Sequence, residues 1–145
     1  MTLALLVRHA SAGDPGEWPG EDSLRPLDTL GRVQAAGLPE TLARFPVTRI
    51  LSSPAVRCVE TVAPLALHLA ISVERRPELA EGADPTDAFG LVRVAGEGAV
   101  VCTHGDILHA LTGLEPPKGA ALVADHGPDA LAVLELVPPA AEGWS

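Results

Sequence analysis

Lysine is almost absent from this 145-residue chain: Lys118 stands alone, and the other basic side chains are arginines. Any phosphate-binding site must therefore be assembled from guanidinium forks. Positive charge is scarce altogether, with a formal net charge of −9 and a sequence pI near 4.8. That balance argues against a nucleic-acid surface, which needs clustered cations to displace counterions from phosphates. Cysteine is rare too. Cys58 and Cys102 have neither CxxC spacing nor a companion His/Cys cluster, which excludes a disulfide framework and suits reduced thiols in a cytosol. No stretch approaches the roughly 18 uninterrupted apolar residues of a membrane helix. The opening MTLALLVRHASA imitates a signal peptide only superficially, because it has no basic start and Arg8-His9 interrupts its short apolar run. Internal repeats and low-complexity linkers are also missing.

What remains is apolar text in short pieces. Hydrophobic residues make up 47% of the chain, enough for a substantial core, and the length fits a single domain over residues 1–145. Leu3 to Val7 is a continuous apolar run that stops abruptly at Arg8-His9, as a parallel strand buried on both faces does where it opens into a loop. Ala12 to Pro26 is rich in Gly, Pro, Asp and Glu and reads as a surface loop. Asp28 is placed to cap a helix running to about Ala43. Thr48 to Leu51 reads as a short strand. Pro54 suits the first position of the next helix, which puts Arg57 in its first turn, while Pro64 should kink that helix or displace its start. Ile71 to Arg75 is a third strand, Pro77 to Gly82 a loop, and Pro85 to Val94 a short helix. Ala99 to Cys102 repeats the first pattern, an apolar strand running into Thr103-His104-Gly105-Asp106 and a helix from Ile107 to Leu111. Alanine- and proline-containing text leads to a last strand from Ala130 to Val137, followed by a tail ending in Trp144.

Strands alternating with helices predict a three-layer α/β/α sandwich with a mostly parallel central sheet. Ligands of such sheets bind beyond the carboxyl ends of the strands. His9 and His104, both at strand ends, should then open onto one crevice. Two histidines there, with Arg8 and Arg57 nearby, suit a tetrahedral phosphate dianion, which needs several converging donors. A neutral imidazole in line with phosphorus can act as a nucleophile, which splits one hard displacement into two easier ones and needs no metal or other cofactor. His104, Asp106 and His109 read together could hold zinc, but no second cluster completes the ligand set. Asp106 suits an N-cap or an orienting residue beside His104.

LVRHASA, SSPAVRCVET and THGD, with RPLDTLGRVQA between the first two, resemble the histidine phosphatase superfamily, which includes phosphoglycerate mutases and small bacterial phosphohistidine phosphatases. The likeness extends from Leu3 to about Leu114. It implies a phosphorylated histidine at His9, phosphate-binding arginines at Arg8 and Arg57, and a second phosphate-contacting histidine at His104. The family's proton donor follows the third strand, where Leu79-Ala80-Glu81-Gly82 matches best, with Glu78 as a rival. Ala10 departs from the glycine many members carry after the histidine. The implied activity is a metal-independent phosphatase acting on a phosphorylated small molecule or a phosphohistidine protein, in the cytoplasm, with neither nucleic acid nor membrane as partner. The chain lacks the inserted segments that cover the pocket in the mutases, so an open site is expected. The alternatives are a phosphosugar mutase, which needs a lid, and a phosphate-binding module without an effective acid. Trp18 is the only aromatic residue on the expected rim, where it could stack on a ring or serve as a local hydrophobic lid.

Overall fold

The computed structural model describes residues 1–142; Trp144 lies outside them. Its elements are strand β1 (Leu3–Arg8), helix α1 (Thr29–Thr41), β2 (Arg49–Ser52), α2 (Val56–Leu69), β3 (Val73–Arg75), α3 (Pro85–Ala95), β4 (Ala99–Thr103), α4 (Gly105–Thr112), β5 (Ala121–His126) and β6 (Leu131–Val137). Short 3-10 turns at Pro15–Glu17 and Asp22–Leu24 punctuate the loop after β1, and a third spans Pro77–Leu79.

The strands form one six-stranded sheet in the order β3-β2-β4-β1-β5-β6. The pairs β1/β4, β2/β4 and β2/β3 are parallel, while β1/β5 and β5/β6 are antiparallel. Alternation along β1 separates two cores. Ala4 and Leu6 pack with Leu91 and Val92 of α3 and Ile107 and Leu108 of α4, and Leu5 and Val7 pack with Leu38 of α1 and Val62 and Leu65 of α2. Helices thus cover both faces of the sheet, as the alternating pattern implied, and β4 is buried at all five positions.

Four expectations are corrected. β5 carries no strand signal of its own, because Ala120 to Ala124 offers three alanines and a single β-branched residue, Val123. Pairing on both sides, with β1 and β6, overrides that weak local preference, and Gly119, at φ +84°, makes the turn into it. The second helix starts at Val56 behind an Ala55 N-cap, so Pro54 precedes it, although Arg57 stays in the first turn. That helix also continues through Pro64, held by the buried Val62, Leu65 and Ala66. It ends on Ala70 in the left-handed region (φ 55°), with the Ile71 amide donating to the Ala66 carbonyl, which delays β3 to Val73.

Candidate active site

The carboxyl ends of β1, β2, β3 and β4 and the loops that follow them bring Arg57, His104 and Glu81 to one cavity of about 280 Å³, which Asp22, Ser23, Ser53, Pro54, Ala55 and Ala80 also line. His9 lies beside it, buried, its ring 5.4 Å from that of His104 in an edge-on arrangement. Arg8 turns to the far side of the His104-Gly105 step. Its Nη1 donates to the Pro116 carbonyl at 2.8 Å, and Nη2 lies 3.6 Å from the Glu115 carboxylate. A Cβ on Gly105 would come 2.8 Å from the Glu115 carboxylate and 3.0 Å from that guanidinium, so a side chain there would push this pair aside.

The His9 Nδ1 lies 2.8 Å from the Ala10 carbonyl. A carbonyl only accepts, so Nδ1 carries the hydrogen and the neutral ring keeps its lone pair on Nε2. Burial pushes the His9 pKa from 6.5 down to about 3 against the pull of the Ala10 carbonyl, and electrostatic interaction with His104, Arg57 and Arg8 lowers it further. His104 is held from behind, with Nε2 2.8 Å from Ser53 Oγ and 3.6 Å from Cys58 Sγ, while its Nδ1 lies 3.5 Å from Arg57 Nη2.

Arg57 is almost wholly buried. Its Nη1 donates to the Asp22 carbonyl at 2.8 Å, and its Nη2 donates to Asp22 Oδ2 at 2.9 Å and lies 3.5 Å from Glu81 Oε1. Two of the three buried side-chain polar atoms without a hydrogen-bond partner among the described residues are the Nε atoms of Arg8 and Arg57. Buried donors left unpaired are costly, and of these two arginines Arg57 lines the cavity beside His104.

The surrounding sequence fixes this geometry. The Ala10 amide donates to Thr61 Oγ1, whose hydroxyl donates to the Arg57 carbonyl four residues earlier, tying the His9 loop to α2. Asp28 accepts from the Gly31 amide, the Ser11 hydroxyl and the Gly13 amide. Although partial burial opposes it, these bonds hold the Asp28 carboxyl below its usual range. Gln34 accepts from the Ser11 amide. A Cβ on Gly31 would meet the Ser11 carbonyl at 1.9 Å, so the start of α1 packs directly against the backbone after His9. On the other side, Thr103 Oγ1 donates to the Leu79 carbonyl, and Asp106 Oδ2 accepts from the Gly82 amide. Glu81 is thereby held between two anchors on the strand end that carries His104.

Residues 4–83 match the model of the histidine phosphatase superfamily (branch 1). The chain belongs to this superfamily. It is 36% identical over 113 residues to an 8-oxo-(d)GTP phosphatase of Mycolicibacterium smegmatis, covering 74% of this chain and 35% of that one. It is 33% identical over 88 residues to an uncharacterised protein of Mycobacterium tuberculosis, covering 57% of this chain and 42% of that one. The chain thus spans less than half the length of these curated relatives. Among solved structures, the protein histidine phosphatase SixA complexed with tungstate superposes with a TM-score of 0.71 at 21% identity, over 94% of this chain and 97% of that one. A mycobacterial glucosyl-3-phosphoglycerate phosphatase gives 0.74 at 16% identity, over 95% and 100%. Both likenesses establish the histidine phosphatase fold.

Within that fold the rival positions separate. Glu78 pairs with Arg76 at 3.0 Å and does not line the cavity, whereas Glu81 does. Asp106 is not the N-cap of α4; His104 is, and Asp106 serves the Glu81 loop instead. His109 is exposed, and among the described residues no group of three or more His, Cys, Asp and Glu is arranged to hold a metal. Trp18 donates to the Glu21 carbonyl and lines a separate hollow with Arg25 and Asp28, away from His104. Asp22 was not singled out from sequence, since a carboxylate in a Gly/Pro-rich loop carries no periodic signal. Thr61 had one: it stands four residues after Arg57, on the same helix face.

Proposed function

We propose that this chain is a metal-independent phosphatase that cleaves phosphomonoesters or protein phosphohistidine through a covalent phosphohistidine on His9. The observation that carries the reading is a neutral, buried imidazole with its lone pair on Nε2, set beside two arginines whose buried Nε donors lack protein partners.

In the first step His9 Nε2 attacks phosphorus as the bond to the leaving group breaks. Arg57 and His104 bind the phosphoryl oxygens and stabilise the charge that builds on them, and Arg8 joins them only once its fork turns from the Pro116 carbonyl and Glu115. Glu81, at the cavity wall, gives its proton to an alkoxide leaving group. In the second step water attacks phosphorus, Glu81 takes a proton from it, and the phosphorus–Nε2 bond breaks to return neutral His9. A phosphohistidine substrate needs less help from the acid, because a protonated imidazole leaves readily. Asp22 is unsuited to the donor's part. Desolvation raises its pKa, but hydrogen bonds and charge from Arg25 and Arg57 outweigh this and keep it ionised. That Glu81 faces the cavity favours catalysis over a binding module lacking an acid.

A nucleoside polyphosphate is the second substrate class to assay, because the relative 36% identical to this chain is named an 8-oxo-(d)GTP phosphatase. The test is hydrolysis of p-nitrophenyl phosphate, a phosphohistidine peptide and a nucleoside triphosphate in EDTA. Wild type should be active, His9→Ala should lose about three orders of magnitude in kcat, and Glu81→Gln should lose ester cleavage more than phosphohistidine cleavage. Activity abolished by EDTA, or retained by His9→Ala, would refute the mechanism.

A further inference from the structure

Asp22 is joined to Arg57 by more than a chance surface pairing. The guanidinium donates from Nη1 to the Asp22 main-chain carbonyl at 2.8 Å and from Nη2 to its carboxylate at 2.9 Å, so both contacts fall on one edge of the fork. Nη2 is also the nitrogen nearest Glu81 Oε1 and His104 Nδ1, each at 3.5 Å. It carries only two hydrogens, and it is the atom an oxyanion lying between Arg57 and His104 would need.

We propose that Asp22 is a specificity-determining residue: its carboxylate occupies the edge of Arg57 that the phosphoryl group must take, so the 22–24 turn has to release the arginine before substrate binds. This rests on the reading of Arg57 as a phosphate-binding residue. The structure supplies the parts for such an exchange. The Asp22 side chain is about half exposed (48%) on a three-residue turn, whereas Arg57 is 2% exposed and cannot retreat to water. The other carboxylate oxygen already accepts from Arg25 Nε at 3.1 Å, and Arg25 is anchored on the Ala12 carbonyl, so a displaced Asp22 keeps a cation. Arg57 Nε, buried and unpaired, remains ready on the inner edge. A phosphoryl dianion and Asp22 cannot share one arginine without like-charge repulsion.

The consequence is discrimination. Small free oxyanions must displace Asp22 unaided and bind weakly, whereas a phosphoryl group on a larger carrier can also engage the turn, whose Ser23 lines the same cavity. Orthophosphate binding by calorimetry, with p-nitrophenyl phosphate kinetics, tests this on wild type, Asp22→Asn, Asp22→Ser and Arg57→Ala. Both Asp22 variants should bind orthophosphate about tenfold more tightly, equivalent to about 1.4 kcal/mol, with KM falling and kcat changing less. Thermal unfolding identifies variants that retain the fold, and either Asp22 variant alone suffices. Binding unchanged or weaker in a folded Asp22 variant, with Arg57→Ala still impaired, would overturn the proposal and leave the pocket reading standing. Equal binding by wild type and Arg57→Ala would overturn both.

Discussion

The two ring nitrogens of His9 have different surroundings, and the proposed chemistry follows from the difference. Nδ1 is committed to the Ala10 carbonyl, which leaves Nε2 unprotonated in the neutral ring. Burial makes that neutrality durable and couples it to folding. An unfolded histidine titrates near 6.5 and the folded one near 3, so between these values the unfolded chain binds the extra proton. The stability due to keeping His9 neutral is therefore complete above pH 6.5 and is lost progressively as the pH falls toward 3, a change of a few kcal/mol at about 1.4 kcal/mol per pKa unit. Urea unfolding of wild type and His9→Gln across this range should show a shallower acid loss in the variant; parallel curves would contradict the buried neutral histidine. His9, His104 and Arg57 were legible in the sequence because each stands at a strand end or helix start that hydrophobic patterning locates. Asp22 and the turn of Arg8 toward Glu115 were not, since they depend on loop paths that no period encodes.

At the scale of elements, the site is held by side chains that join one segment to another. Thr61 links α2 to the loop after β1 by accepting from the buried Ala10 amide. Thr61→Val is isosteric but leaves that amide unpaired, and it should cost about 1–3 kcal/mol in chemical denaturation, while Thr61→Ser restores most of it. Equal stability of the valine and serine variants would show that the bond contributes nothing. Asp106 works on the opposite wall, where it anchors the Gly82 amide next to Glu81. Asp106→Ala should lower kcat for an alkyl phosphate about tenfold, within the usual contribution of a placed acid, and should spare p-nitrophenyl phosphate, whose leaving group departs without a proton. An equal loss on both esters would place the effect elsewhere. In the sequence these anchors stand only as motif letters. That T, G, Q and D in SSPAVRCVET, RPLDTLGRVQA and THGD serve backbone amides, close approaches and loop carbonyls became visible once the strands were laid side by side.

Taken whole, the molecule sets a buried arginine, Arg57, between two carboxylates, Asp22 and Glu81, on a strongly acidic chain with a net charge of −9. The site's two arginines and two histidines come from three segments far apart in sequence, joined where β1, β2 and β4 end. The central parallel strands β1 and β4 were readable because they are apolar runs that lead into the site loops. The antiparallel β5 was hidden in alanine-rich text that only pairing to β1 and β6 makes a strand. Among the described residues no helix is long and apolar enough to cross a membrane. The histidines meet within 5.4 Å only in the folded sheet, so the proposed function belongs to the assembled carboxyl edge rather than to any one motif.

The most direct test of that function is to trap the covalent intermediate. Wild type is mixed with a phosphorylated substrate, quenched in alkaline denaturant within the first turnovers, digested and examined by mass spectrometry. An acid-labile, alkali-stable phosphoryl group on the peptide containing His9, absent from His9→Ala, is the expected result. Phosphate released by wild type with no phosphorylated His9 peptide at any quench time, or with the label on another residue, would contradict it.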